Sequence, residues 1–173
     1  MSVQKLPLRA LAEAGILIAL ATVLSFVKVF SLPQGGSVTA ASMVPILFLA
    51  LRWGPGLGLL GGVAYGLLQF AVEPFVYHPA QVLLDYPVAF GLLGLAGFFR
   101  GQPTLGVAAG IAGRFASHWL AGVVFFAAFA GTRHPAVHSA IYNGSYLLPE
   151  LVVSAVVMAL LARVVGLGVA RTE

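Results

Sequence analysis

Apolar residues run along this chain in long blocks, broken only by short clusters of glycine, proline and charge. The blocks read Leu8 to Phe30, Ala40 to Leu51, Gly56 to Val72, Pro79 to Phe99, Thr104 to Ala130, and about Val137 to Leu167. A helix needs about 20 apolar residues to cross a bilayer, and most blocks reach that length without strand-like alternation. The second block is too short to span unless Ser37 to Ser42 joins it. The pattern predicts an all-α polytopic membrane protein, a bundle of six transmembrane helices in a single transmembrane domain over 1–173.

Composition agrees, with 60% hydrophobic and 8% charged residues. Soluble domains carry about 25% charged residues, enough to wet a surface. Lipid is therefore the solvent for most of the chain. The spans leave no room for a soluble ATPase or kinase domain, and no G-x-x-x-x-G-K-[ST] occurs. There is no cysteine, so disulfides and thiolate metal sites are excluded. The net charge of +4 is dispersed and reads as topology, not as a nucleic-acid surface. With six spans and the N-terminus inside, Lys5, Arg9, Arg52, Arg100, Arg163 and Arg171 fall in the cytoplasm, against Lys28 and Arg133 outside. Both termini are then cytoplasmic, and the longer outer connections become the candidates for function.

Ionisable groups inside the blocks are informative, because each costs at least about 2.5–3.5 kcal/mol at the bilayer centre. Asp85, Arg114, His118 and Glu150 qualify, with Asn143 near the outer end of the last span. Arg114, His118, Gly122 and Phe126 form one helical stripe at spacing four, where a ligand fits against Gly122. Gln81 and Asp85 share a face beside Tyr86, and Pro87 frees the carbonyl of Leu83. Asn143, Tyr146 and Glu150 share a face of the last span. At about 1.5 Å per residue Asp85 lies about 8–10 Å deep, with Asn143 and Tyr146 comparable or shallower. Arg114 lies near mid-membrane, where Glu150 or Asp85 would neutralise it. The Arg114–Glu150 pair is the expected structural ion pair. One carboxylate, several aromatics and an amide suit a small aromatic cation. No nucleophile–base constellation stands out, no metal site is expected, and no cofactor is implied. Trp53 is expected at the cytoplasmic end, and Trp119 just off the His118–Gly122 face.

Several stretches, in order along nearly the whole chain, resemble one family. They are Leu32-Pro-Gln-Gly-Gly-Ser-Val-Thr39 running on through Ser42-Met-Val-Pro45, Leu84-Asp-Tyr-Pro87, Arg114-x-x-x-His118-x-x-x-Gly122, and Tyr142-Asn-Gly-Ser-Tyr146. The family is the thiamine-specific substrate-binding subunits (S components, ThiT type) of energy-coupling factor transporters. The resemblance implies a six-helix, multi-pass protein of the bacterial plasma membrane. It implies thiamine as ligand, and docking on a scaffold subunit and two ATPase subunits. Carried over, the binding residues are Asp85, Tyr86, His118, Gly122, Phe126, His138, Asn143 and Tyr146, with Gln34, Gly35, Gly36 and Ser37 in a lid loop. The family has Glu at Asp85, Trp at Phe126 and Tyr at His138, and a lid Trp without equivalent here. Its Ala-x-x-x-Ala docking stripe falls on Gly15, Ala19 and Val23. A thiamine precursor or another vitamin, a small intramembrane enzyme using His118, Asp85 and Glu150, and a purely structural subunit are the competing readings.

Overall fold

The structure, a computed structural model, describes residues 7–167, so Lys5 and Arg171 lie outside the described residues. Six helices form the body: α1 (Leu8–Ser25), α2 (Val44–Trp53), α3 (Pro55–Val72), α4 (Pro79–Phe99), α5 (Pro103–Phe125) and α6 (Pro135–Val165). All but α2 are long and apolar enough to cross a membrane. In lipid every backbone polar group needs an internal partner, which is why these blocks are helices.

α2 has 10 residues, about 15 Å at 1.5 Å per residue and only half a bilayer core. The other half of its path is not helical. It is an antiparallel hairpin of β1 (Lys28–Ser31) and β2 (Ser37–Thr39), with Phe30 opposite Val38 and Ser31 opposite Ser37. Ser37 to Ser42 thus joins the second segment as strand and turn. The first block likewise ends as helix at Ser25, because Lys28 to Ser31 pairs with β2 instead. Val38, Thr39 and Ser42 are buried among the helices. Non-helical backbone at membrane depth is stable only with protein around it.

α4 carries the main irregularity. Leu84–Val88 forms a wide π turn, because Pro87 has no N–H to give and its ring crowds the Leu83 carbonyl. The carbonyl of Leu84 is satisfied from α5, where Ser117 Oγ donates to it at 2.7 Å. α4 and α6 both start with His-Pro. The Nδ1 atoms of His78 and His134 accept from the N–H groups of Ala80 (3.1 Å) and Ala136 (3.2 Å), capping each helix.

One end of the bundle gathers the hairpin, residues 73–78 and residues 126–134. Lys28 pairs with Glu73, the His78 ring stacks on Phe125 at 4.9 Å, and Phe75 meets Phe126 at 6.0 Å. At the opposite end Glu13 accepts from Arg52 Nε (2.7 Å) and Trp53 Nε1 (2.8 Å), and Arg100 donates to the Arg52 carbonyl (2.9 Å). That basic end is the cytoplasmic one by charge. The natural chain has no cysteine, so topology is directly testable. Single cysteines replacing Tyr77 or Arg133, both exposed, are expected to react with an impermeant thiol reagent in intact cells. A cysteine at Arg100 should react only after permeabilisation, and the reverse pattern would invert the topology.

Candidate functional site

A cavity of about 490 Å³ opens at the hairpin end, walled by α3 to α6 and roofed by the hairpin. Its polar centre is a chain of hydrogen bonds across α5 and α4. Arg114 Nε donates to His118 Nε2 at 3.2 Å, and His118 Nδ1 lies 2.8 Å from Asp85 Oδ1. Gln81 Nε2 donates to Asp85 Oδ2 at 2.8 Å. Arginine has only donors, so Nε2 of His118 must be the acceptor and Nδ1 carries the proton. His118 is therefore a neutral imidazole that donates to Asp85. Both hydrogen bonds that Asp85 receives come from uncharged groups, and among the described residues its carboxylate has no Lys or Arg at salt-bridge distance.

Gln81 is fully buried and does two jobs. Its Oε1 accepts from the N–H of Tyr77 (3.0 Å) and of His78 (3.4 Å), closing the start of α4. Its amide is thereby oriented, and Nε2 can only face Asp85 and the Phe75 carbonyl (3.2 Å). The π turn sets Asp85 and Tyr86 toward different neighbours. Tyr86 reaches the α3–α4 connection, donating to the Glu73 carbonyl (2.8 Å) and accepting from the N–H of Phe75 (2.9 Å).

The opposite wall is α6. Asn143 Nδ2 donates to the carbonyl of Ser139 at 3.0 Å, and its Oδ1 accepts from Tyr146 O–H at 2.9 Å. The Tyr146 ring stands edge-on to His118 at 6.2 Å. Phe126, just past the end of α5, meets Tyr77 (5.3 Å) and Phe129 (6.0 Å), giving an aromatic shelf near the mouth. His138 lines the rim, and Gln34, Gly35, Gly36 and Ser37 close the top. Gly35, at φ +87°, allows the tight turn, while Gly36 lies so close to Tyr146 that a Cβ there would sit 2.7 Å from Cδ1. Every residue read from the sequence as binding or lid thus borders one cavity.

Two expectations change. Arg114 does not pair with Glu150. Its guanidinium lies over the Phe90 ring at 4.1 Å and donates to His118, so it belongs to the cavity floor. Glu150 is buried and turned to the hairpin, where its Oε1 accepts from Thr39 N (2.5 Å) and Thr39 Oγ1 (2.7 Å). The hairpin's unpaired backbone and hydroxyl offer donors there that α5 cannot. Gly122 lines the cavity, yet a Cβ on it would lie 2.9 Å from Ser139 Cβ. Its missing side chain is taken up by close packing of α5 on α6 as well as by open space.

Sequence reasoning passed over Phe75, Phe90, Phe129 and Tyr142 as site residues. Phe90 and Phe129 carry no signal that separates them from core aromatics. Tyr142 does, four residues before Tyr146 and so on the same face. Trp53 sits at the cytoplasmic end as expected, and Trp119 Nε1 donates to the Ala136 carbonyl at 3.0 Å, away from the cavity. Gly15, Ala19 and Val23 all face outward from the bundle.

Comparison with known proteins turns this geometry into an identity. Residues 11–166 match the thiamine transporter protein family (Thia_YuaJ). The chain belongs to the thiamine transporter family. It is 37% identical over 171 residues to the thiamine transporter ThiT of Bacillus subtilis (strain 168), covering 87% of this chain and 88% of that one. A ThiT from Lacticaseibacillus paracasei is 30% identical over 178 residues, covering 88% and 86%. The fold is similar to the solved structure of ThiT from Listeria monocytogenes, with a TM-score of 0.81 and 25% identity over 91% of this chain and 94% of that one. The chain is therefore a multi-pass protein of the bacterial cell membrane with a transport role, not an enzymatic one.

Proposed function

We propose that the chain captures thiamine at the outer face of the membrane. It acts as the substrate-binding subunit of an energy-coupling factor transporter, and a scaffold subunit with two ATPase subunits supplies the driving force. One observation carries the ligand reading: the Asp85 carboxylate faces the cavity with only neutral donors on it. Thiamine brings a permanent thiazolium cation and a flat aminopyrimidine. The first complements the uncompensated charge, and the second complements the aromatic walls of Phe126, Tyr146 and Phe75. A volume of about 490 Å³ suits a ligand of that size. Membership in a family of thiamine transporters supports the same ligand.

The partner reading rests on the sequence and one surface. The chain carries no nucleotide-binding loop, so ATP-driven uptake must draw on other subunits. Gly15, Ala19 and Val23 give α1 a low outward stripe, and small residues let another helix approach closely in lipid. Titrating the purified protein with thiamine tests capture, and Ala19→Trp tests docking. The variant is expected to bind thiamine as the parent does while uptake in cells falls. A joint loss of binding and uptake would move this stripe into the fold's own core, and a parent that ignores thiamine would end the capture reading.

A further inference from the structure

By charge alone Arg114 is out of place. It lies in the floor of a cavity whose proposed ligand is a cation, and among the described residues it pairs with no carboxylate. Its guanidinium is nevertheless held from three sides. It lies over the Phe90 ring at 4.1 Å, Nη1 points to Met43 Sδ at 2.7 Å, and Nε donates to His118 Nε2 at 3.2 Å. Swinging the guanidinium onto Asp85 would give up all three contacts.

What Arg114 does through His118 follows from donors and acceptors. A neutral imidazole takes a second proton only on its bare nitrogen. Here that nitrogen is Nε2, and its lone pair is already engaged by a guanidinium that can only donate. The single proton of the ring stays on Nδ1, aimed at Asp85 Oδ1 at 2.8 Å. Without Arg114 the ring would be free to take the second proton. An imidazolium at that distance is a salt bridge, and it would cancel the charge that a cationic ligand needs. Other groups around the ring do not change this balance. From α6, Tyr146 meets His118 edge-on and gives its hydroxyl proton to Asn143, while His138 stands at the rim. Lys28 of the hairpin is paired with Glu73 of the α3–α4 connection.

The spacing of the two charges matters as well. A direct Arg114–Asp85 pair would be a strong, charge-assisted contact that any ligand would first have to break. With one neutral ring between them, the arginine steadies the carboxylate from a distance and leaves its cavity side unpaired.

We infer that Arg114 is a specificity-determining positioning residue, which holds His118 neutral and so keeps Asp85 available to a cationic ligand. This rests on the reading that the cavity takes thiamine, and it gives a role to a residue that this reading leaves unassigned.

Two measurements on the purified full chain test this. The first compares the thiamine Kd of Arg114→Met and of the parent from about pH 8 down to about pH 5.5, across the ordinary imidazole range. Methionine keeps an unbranched side chain over Phe90 and cannot donate to Nε2. As the pH falls, His118 of the variant takes its second proton, pairs with Asp85, and the variant loses affinity. The ratio of variant to parent Kd is expected to rise at least about tenfold across that range, the worth of one charge-assisted contact. Titration of thiamine itself, of His138 and of the Lys28–Glu73 pair is common to both proteins and cancels in the ratio. The second measurement needs no ligand. Nitrogen NMR of histidine-labelled protein reads the ring directly, with His118 assigned by its absence in His118→Gln. In the parent His118 should carry one proton, on Nδ1, throughout, whereas in Arg114→Met both ring nitrogens should be protonated at the acid end. A constant Kd ratio overturns the inference. So does a doubly protonated His118 in the parent, a result that stands even where Arg114→Met does not fold. A parent that binds no thiamine ends the capture reading instead, and the nitrogen spectra still decide what Arg114 does.

Discussion

Asp85→Asn is expected to weaken thiamine binding by roughly ten- to a hundredfold while the protein still inserts and folds. A charge-assisted contact in a partly dry site is worth about 1.5–3 kcal/mol, and about 1.4 kcal/mol is a factor of ten in Kd. The geometry adds a second reason. Asp85 accepts from Gln81 Nε2 and from the protonated Nδ1 of His118. An asparagine amide can accept only one of these, and its NH2 must then face the other donor. Gln81 cannot turn to relieve this, because its Oε1 is engaged by the N–H groups of Tyr77 and His78. His118 is held from its other side by Arg114. Asp85→Glu, the residue the resemblance places here, keeps the charge and is expected to bind closer to the parent than Asp85→Asn does. Isothermal titration of the three proteins checks this. Equal affinity of Asp85→Asn and the parent would make the carboxylate structural and remove the main chemical ground for a cationic ligand.

Legibility in the sequence followed the physics of each signal. Hydropathy fixes where backbone must satisfy itself, so the long helices α1, α3, α4, α5 and α6 were readable within a few residues at most ends. The short α2 and the hairpin were not, because Phe26, Val27, Val29 and Phe30 carry the apolar run past the end of α1 and strand pairing is a long-range event. Polar groups at helical spacing marked the cavity, since lipid makes each of them costly. What spacing could not give was partner choice. Arg114 and Glu150 were matched by charge and depth, yet Glu150 took donors from a strand whose position no periodicity reveals. The neutral tautomer of His118, and with it the uncompensated charge on Asp85, follows only from seeing Arg114 and Asp85 on opposite sides of one ring. A further signal stood in plain view inside the third block and was passed over: glycines at 58, 62 and 66, one turn apart on α3.

Those glycines carry the other large expectation, that Gly62→Val destroys the folded bundle. A Cβ on Gly62 would lie 2.8 Å from the carbonyl carbon of Phe90 and 3.0 Å from the Cα of Gly91. One on Gly66 would lie 2.5 Å from the Tyr86 carbonyl oxygen, and one on Gly94 of α4 would lie 2.7 Å from the Cα of Leu59. α3 and α4 therefore touch backbone to backbone, and no side chain can rotate away to make room. In lipid no hydrophobic force pulls helices together, so close packing of this kind is a main source of association. Overpacking a core costs about 1–3 kcal/mol, and more when only backbone can yield. Valine at 62 has to push the two helices apart along their whole seam. Gel filtration is expected to show aggregate in place of a monodisperse protein. Gly66→Ala is a gentler probe, displacing the backbone of Tyr86 beside Asp85, and should leave a folded protein with weakened thiamine binding. Gly15→Val, on the outward stripe of α1 where a Cβ meets nothing within 4 Å, should leave fold and binding intact. A well-folded Gly62→Val protein with parental affinity would mean that α3 and α4 do not meet as closely as the backbone places them, and that the π turn holding Asp85 is positioned by something other than this seam.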